Sequence, residues 1–164
     1  MERMRVQQLM RAIVSVLCLV LASCSTPVEP IPSELVTLIA DSSTPICPAT
    51  TVPHVFSDRL LPDGTRMPFT IPSRQVLVVN SFDWVVEGSS QHNGTVWTAV
   101  TLIGAGKNNA LFSGAMADSI GRAAGTSTLP KGYVVQPGTV MCLDFVGGAT
   151  STMARIHGYL TQQR

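Results

Sequence analysis

The sequence predicts an all-β domain, an antiparallel β-sandwich of jelly-roll-like architecture with about eight strands and at most one short helix. Short runs rich in Val, Ile, Thr, Phe and Trp recur along residues 34–164. Gly, Pro, Asn and Asp, which favour turns, separate these runs. Several short strands at this spacing are typical of a sandwich or barrel. We therefore expect one β-sandwich domain over residues 34–164.

The first 23 residues predict an export signal. Arg3, Arg5 and Arg11 form a basic beginning, and the apolar run 12–22 follows. A helix needs about 20 apolar residues to cross a hydrocarbon core of about 30 Å, so this run is too short for a permanent span. It is typical of a cleaved signal peptide.

The residues after the apolar run are Leu21-Ala22-Ser23-Cys24. This segment resembles the lipobox of bacterial lipoproteins. The resemblance implies cleavage before Cys24, which becomes the acylated N-terminus and carries diacylglycerol and a fatty acid such as palmitate. Several acyl chains give durable membrane attachment. Ser25 takes the place of the aspartate that tends to hold such proteins at the inner membrane, so the resemblance favours the outer membrane. The alternative is an ordinary secretory signal, with Cys24 a free thiol or disulfide partner.

A proline-rich tether is predicted over residues 24–33. It contains three prolines, which prevent a helix and favour an extended, semi-rigid spacer. We expect the tether to hold the domain away from the bilayer.

The four cysteines have different expected fates. Cys18 leaves with the signal and Cys24 takes the lipid, so Cys47 and Cys142 remain as the thiols of an exported domain. An oxidising compartment favours their pairing. Such a disulfide would close a loop of about 96 residues and stabilise the fold by up to about 4.7 kcal/mol. Two buried free cysteines are the alternative; a zinc site is not supported, because neither has a second cysteine or histidine within five residues.

The predicted strands follow the runs of β-forming residues. Within 75–87, Val76, Val78, Phe82, Trp84 and Val86 are expected to share one face, with Asn80 as its polar member. In the last run, Ala154, Ile156 and Leu160 alternate with polar or aromatic residues, as in a half-buried antiparallel strand. The predicted strands are 34–40, 67–71, 75–87, 96–103, 110–114, 132–136, 139–146 and 153–161.

Turn residues agree with this division. Asn93-Gly94 indicates a hairpin with a longer connection, and Pro137-Gly138 indicates a tight reversal. Residues 115–124 could form a short helix, although Gly121 and Gly125 favour a loop or strand there.

The charge balance excludes one class of partner. The chain has 11 Lys and Arg against 10 Asp and Glu, a net charge of +1. Removal of residues 1–23 takes away three arginines and one glutamate, which leaves about −1. No basic cluster follows residue 24, so we expect no nucleic-acid partner. No motif indicates a cofactor, because residues 104–109 lack the spacing of a phosphate-binding loop.

Few residues suggest chemistry. His54, His92 and His157 are far apart in sequence and have no metal-binding spacing. Trp84 and Trp97 could stack on sugar rings if exposed, but both lie in apolar runs that favour burial. We treat Trp84, Trp97 and His92 as candidate ligand contacts.

Two functions follow as hypotheses. The first is a non-enzymatic, lipid-anchored domain that binds an envelope protein, a glycan or another copy of itself, with loops 88–94 and 104–109 as the contact surface. The second is an envelope hydrolase or metal-dependent enzyme, whose histidines would have to converge with an acid such as Asp58 or Asp63 in a concave pocket. A third hypothesis is a purely structural component of the envelope. The sequence does not predict the oligomeric state.

Overall fold

The computed structural model describes residues 34–48, 54–104 and 107–163. The predicted signal peptide, Cys24 and the predicted tether lie outside the described residues. All regular structure in the described part is antiparallel β-strand, and the predicted all-β class is confirmed. The ten strands are β1 (Glu34–Asp41), β2 (His54–Val55), β3 (Asp58–Leu60), β4 (Arg66–Pro68), β5 (Gln75–Glu87), β6 (Thr95–Gly104), β7 (Lys107–Met116), β8 (Ala123–Val135), β9 (Val140–Val146) and β10 (Ser151–Gln162).

The strands form two sheets. One has the order β4-β3-β1-β10-β5-β8 and the other the order β2-β9-β6-β7. Without β3 and β4, successive strands switch sheets except at the β6–β7 hairpin, and the orders β1-β10-β5-β8 and β2-β9-β6-β7 are those of an eight-stranded jelly roll. The predicted jelly-roll-like sandwich therefore describes eight of the strands, and β3 and β4 are an additional hairpin beside β1.

The extra hairpin and β2 were not expected from the sequence. β2 has two residues, and β3 and β4 have three each. Runs of this length carry too few residues to show the two-residue period of a strand. The predicted strand 67–71 begins within β4 and continues past its end.

The core lies between the two sheets. Leu38, Phe82 and Ile156 come from the six-stranded sheet, and Val96 and Val100 come from the four-stranded sheet; all are buried. The expected alternation along β10 is confirmed, because Ala154, Ile156 and Leu160 are buried.

A β-bulge at Asn80 corrects the face predicted for the first half of β5. The register with both β10 and β8 shifts between Val79 and Ser81. An extra residue reverses the direction of the side chains on one side of it. Leu77 and Val79 therefore belong to the core cluster with Phe82, and the prediction that Val76 and Val78 share the Phe82 face is wrong.

Glycine accommodates the bulge. Gly158 lies opposite Val79 on β10, and a Cβ atom there would collide with the carbonyl oxygen of Val78. The bulged strand thus approaches β10 too closely for any side chain at position 158.

The region around residues 115–135 also differs from expectation. The short helix considered for 115–124 is absent; this segment holds the end of β7, a turn and the start of β8. Gly121 has φ 77° and its N–H donates to the carbonyl of Asp118, which closes the turn. β8 begins at Ala123 rather than at residue 132. Pro130 weakens the strand signal, yet it is tolerated because β8 is an edge strand.

Cys47 and Cys142 lie at disulfide distance, with Cα atoms 5.8 Å apart, as expected. Met141 and Leu143 point into the core, so alternation places Cys142 on the outer side of β9. Both cysteines are nevertheless buried. The bond fastens the connection that follows β1 onto the outside of the four-stranded sheet.

Candidate functional site

The outer sides of the two sheets differ in polarity. The six-stranded sheet presents polar side chains, among them Thr37, Asp83, Arg155 and His157, which are partly exposed. The exposed large apolar residues of that sheet, Leu35, Met67 and Val134, lie on three different strands, whereas those of the four-stranded sheet form a cluster. An exposed apolar cluster on a small domain is a candidate interaction site.

Four exposed side chains form this cluster, which we call the aromatic face: Trp97 on β6, Phe112 and Met116 on β7, and Val146 on β9. Their exposed fractions are 51%, 68%, 65% and 64%, respectively. Their neighbours on β6 and β7 point into the core, so strand alternation alone turns these four outward.

The strand register brings the four side chains together. Trp97 pairs with Val146 on one side and with Gly114 on the other. The next pairs on the same side of the sheet lie two residues away on either side of Trp97. In these pairs Thr95 lies opposite Met116, and Ala99 lies opposite Phe112. Directly opposite residues of an antiparallel pair have Cβ atoms about 5 Å apart. The aromatic face is therefore continuous across three strands.

The indole of Trp97 lies on Gly114. A Cβ atom at Gly114 would be 2.6–3.0 Å from three ring atoms of Trp97. Because the ring rests on the glycine backbone, one side of the indole packs on the sheet and the other is open to solvent. Gly114 thus makes room for a flat aromatic surface.

Among the side chains that the structure describes, Asp144 is the charged neighbour of the aromatic face. Asp144 lies on the outer side of β9 opposite Ala99, and its Oδ1 accepts a hydrogen bond of 2.8 Å from the N–H of Phe145. The side chains that pair around Trp97 are Val, Thr, Met, Ala, Phe and Gly. Few polar groups are therefore available to hydrogen-bond a ligand there.

β7 is the least protected edge of the two sheets. β2 and β4 are very short, β4 ends in Pro68, and β8 contains Pro130 and the register shift opposite the bulge. β7 instead pairs with β6 over ten residues without a shift and contains no proline. Short length, proline and register shifts are features that usually protect an edge strand from pairing with another chain, and β7 has none of the three. Phe112 and Met116 therefore stand at an open margin of the sheet.

The connection 88–94, which the sequence suggested as part of the contact surface, is held firmly by hydrogen bonds. Ser89 is buried and its hydroxyl donates to the carbonyl of Gly147 at 2.9 Å. The Ser90 hydroxyl donates to the same carbonyl at 2.7 Å, and the N–H of Asn93 donates to the carbonyl of Asp118. Of the other predicted contact loop, residues 105 and 106 lie outside the described residues.

One histidine joins a hydrogen-bonded line across three strands. His157 on β10 has Nδ1 3.2 Å from the Thr37 hydroxyl on β1 and Nε2 2.5 Å from Asp83 Oδ1 on β5. This line combines a hydroxyl, an imidazole and a carboxylate. It lies in the middle of a sheet, where backbone N–H groups are engaged in the ladders with β1 and β5.

The histidines do not converge as the enzymatic hypothesis requires. His54 is on β2 of the other sheet, and His92 is an exposed residue of the 88–94 connection. Within residues 34–48, 54–104 and 107–163, no three His, Cys, Asp or Glu side chains come together as metal ligands. Asp58 on β3 and Asp63 in the β3–β4 turn, the acids considered with them, lie on the extra hairpin.

A small cleft lies beside His54. Its volume is about 150 Å³, and Ser42, Asp144 and Phe145 help to line it. His54 Nδ1 is 3.2 Å from the carbonyl oxygen of Thr44. A cavity of about 150 Å³ has room for a molecule the size of benzene, and most ligand pockets are larger, at about 300–1,000 Å³.

Three carboxylates with lowered pKa values hold turns and strands of the fold together. Partial burial alone would raise the pKa of Asp41, but hydrogen bonds from Arg66 and Ser43 lower it to about 2. Arg66 donates to Asp41 Oδ2 at 2.7 Å, which joins β4 to the end of β1. Hydrogen bonds from Thr65 likewise lower the pKa of Asp63, and those from the N–H groups of Arg122 and Ile120 lower the pKa of Asp118. These carboxylates stabilise turns and the extra hairpin.

The two tryptophans have opposite environments. Trp84 is buried in the core, so the expected burial is confirmed for Trp84, and it is not accessible as a ligand contact. The expected burial is wrong for Trp97, because the apolar run that contains it is buried on one side only. His92 is exposed but is not part of the aromatic face. Sequence patterning missed Phe112, Met116 and Val146, because alternation alone does not tell which side of a strand faces solvent.

No protein-family model matches the chain, and no curated protein resembles it in sequence. In the part of the chain that the structure describes, no helix is long and apolar enough to cross a membrane.

Proposed function

We propose that this chain is a lipid-anchored protein of the bacterial envelope whose β-sandwich binds another protein, without catalysis, through the aromatic face. The export signal and the lipobox-like segment ending at Cys24 support the anchor. The single observation that supports binding is the cluster of Trp97, Phe112, Met116 and Val146 on the outer side of the four-stranded sheet.

The size of the aromatic face supports an interaction role. The four side chains together expose on the order of 550 Å², at the upper end of the largest apolar patches on soluble monomers. Aromatic and Met side chains are enriched where proteins contact each other. Binding of a partner to such a patch is favourable because it removes apolar surface from water.

The surroundings of Trp97 favour a protein over a glycan. A small-ligand site combines apolar contacts with a few placed polar groups that fix orientation. Around Trp97 the paired neighbours are Val146 and Gly114, and the nearest charged residue of the face is Asp144, one pair further along. An apolar protein surface complements this arrangement better than the hydroxyl groups of a sugar.

The anchor is tested by labelling cells with a radioactive fatty acid. Cys24→Ala should abolish labelling and release the protein from membranes. Cys18→Ala is the matched control, because Cys18 lies within the cleaved signal and its loss should leave labelling unchanged. Ser25→Asp should move the lipoprotein from the outer to the inner membrane. Undiminished labelling of the Cys24→Ala chain would rule out the anchor.

Binding is tested with a photoreactive phenylalanine analogue placed at position 112 in living cells. Irradiation should give a cross-linked protein product of one defined mass. The same analogue at Leu35, an exposed apolar position of β1 in the other sheet, is the control and should not give that product. Products at both positions, or a glycan adduct at position 112, would contradict the proposal.

A second candidate function is hydrolysis, because Thr37, His157 and Asp83 form a nucleophile–base–acid line. The hydroxyl contacts Nδ1 and the carboxylate contacts Nε2, which reverses the usual triad. The neighbouring backbone N–H groups are engaged in strand ladders, so the line lacks an evident oxyanion site. Labelling of Thr37 by a fluorophosphonate, lost in His157→Asn, would favour hydrolysis over simple binding.

A further inference from the structure

We propose that the partner of the aromatic face is a second copy of this chain, so that two four-stranded sheets pack face to face about a two-fold axis. This inference rests on the proposed binding function and specifies its partner. Three observations carry it: the shape of the face, its charge and its area.

The shape of the aromatic face suits another sheet. Three ring atoms of the Trp97 indole lie against the backbone of Gly114, so the ring lies along the sheet rather than projecting away from it. Two sheets pack with their side chains interdigitated at a separation of about 10 Å. The outer side of β9 near Cys142 is already covered by the disulfide-linked connection, whereas β6 and β7 are open. The contact is therefore centred on β6 and β7.

The charge of the face permits self-association. In a two-fold interface residue i of one copy contacts residue j of the other and the reverse, so a charge near the axis meets its own kind. Asp144, the charged neighbour of the face among the described side chains, is partly buried and already accepts a hydrogen bond from the N–H of Phe145. Two copies thus meet with little repulsion. A surface for a different, charged partner would show a pattern of complementary charges, which this face lacks.

The area is of the right order for a dimer. A standard specific interface buries about 800 Å² on each partner. The aromatic face supplies on the order of 550 Å² of this. Thr95, Ala110 and Gly114, which are exposed on the same side of β6 and β7, supply further contact area. A two-fold dimer also covers the apolar surface of both copies in one contact, whereas a head-to-tail contact would continue into a ring or a filament.

The test is sedimentation equilibrium of the lipidated full chain in detergent, with micelles in large excess over protein. The wild-type chain should show a monomer–dimer equilibrium. Phe112→Asp should raise the dimer dissociation constant at least about 100-fold, because it places two carboxylates in one interface. Leu35→Asp is the matched control, since Leu35 is 77% exposed on the other sheet, and it should leave the constant unchanged.

A second readout is tryptophan fluorescence. As concentration rises through the dissociation constant, the emission of Trp97 should shift to the blue in the wild-type chain and stay unshifted in Phe112→Asp. The assignment of a second copy as the partner is overturned if the chain is monomeric at every concentration. It is also overturned if the dimer persists in Phe112→Asp or is lost in Leu35→Asp. If position 112 still cross-links to a different envelope protein, the proposed binding function stands although its assigned partner is wrong.

Discussion

Gly125 of β8 lies directly against the indole of Trp84 in the core, where a Cβ atom would be 2.7 Å from Nε1. Gly114 stands in the same relation to Trp97 on the outer surface, with a closest ring atom at 2.6 Å. The two glycine–tryptophan pairs therefore share one contact geometry and differ in burial. The same substitution at Gly114 and at Gly125 therefore separates the effect of burial from the effect of losing a glycine.

Gly125→Ala should destabilise the fold by about 1–3 kcal/mol, because Trp84 is enclosed and cannot move away from the added methyl group. Gly114→Ala should cost less than about 1 kcal/mol, because Trp97 can swing into solvent. Urea unfolding of both variants measures the difference. Equal losses of unfolding free energy would show that Trp97 is as constrained as Trp84.

The exposure of the tryptophans is open to direct measurement. Trp84→Phe leaves Trp97, whose emission at low protein concentration should be red-shifted and strongly quenched by acrylamide. Trp97→Phe leaves Trp84, which should emit to the blue and resist the quencher, since it is only 3% exposed. Strong quenching of Trp84 would contradict its position in the core.

The ion pair of Asp41 and Arg66 should make stability depend on pH. The folded-state pKa of Asp41 is about 2, below its ordinary value of 3.8, so its contribution is present above about pH 4–5 and is lost as pH falls towards 2. Arg66 is partly exposed, so solvent screening limits the contribution to about 1 kcal/mol. Asp41→Asn should lower the unfolding free energy by this amount at pH 7 and by much less near pH 2, where folded Asp41 is about half protonated.

A double-mutant cycle with Arg66→Met separates this pair from the hydrogen bonds that Ser43 makes to Asp41. Arg66→Met should remove most of the effect of Asp41→Asn that depends on charge. Additive losses in the double variant would mean that the two side chains do not interact.

The pairing of Cys47 with Cys142 should be a major source of stability. The double variant Cys47→Ala/Cys142→Ala should lower the unfolding free energy by about 3–5 kcal/mol, because the closed loop spans most of the domain. Non-reducing mass analysis of the wild-type chain should show the two peptides linked. Free alkylation of both thiols in the native protein would refute the bond.

The sequence predicted the fold class, the long strands β1, β5, β6, β9 and β10, and the cysteine pair. These depend on strong local patterns and on counting cysteines. The faces of β5 before Asn80 could not be predicted, because the bulge that reverses them arises from pairing with β8 and β10. β2 and β3 were missed because strands of two or three residues exist only through their partners.

The candidate site was less accessible to sequence reasoning than the fold. Trp97 lies in an apolar run, and hydrophobic patterning alone assigns such a residue to the core. The decisive information is that Val96, Thr98 and Val100 occupy the inner side of β6, which turns Trp97 outward. Gly114 offered a local hint, because a glycine within a strand often marks a close approach of other groups.

The position of the disulfide has a consequence for proteolysis. Cys47 follows β1 and Cys142 lies in β9, so the strands from β2 to β8 are enclosed in one covalent ring. A protease that cuts the chain once within this ring, for example at the exposed His92, leaves two pieces that stay joined. The nicked domain would migrate as one species without reductant and as two with it, and both pieces would stay joined to the proposed lipid anchor.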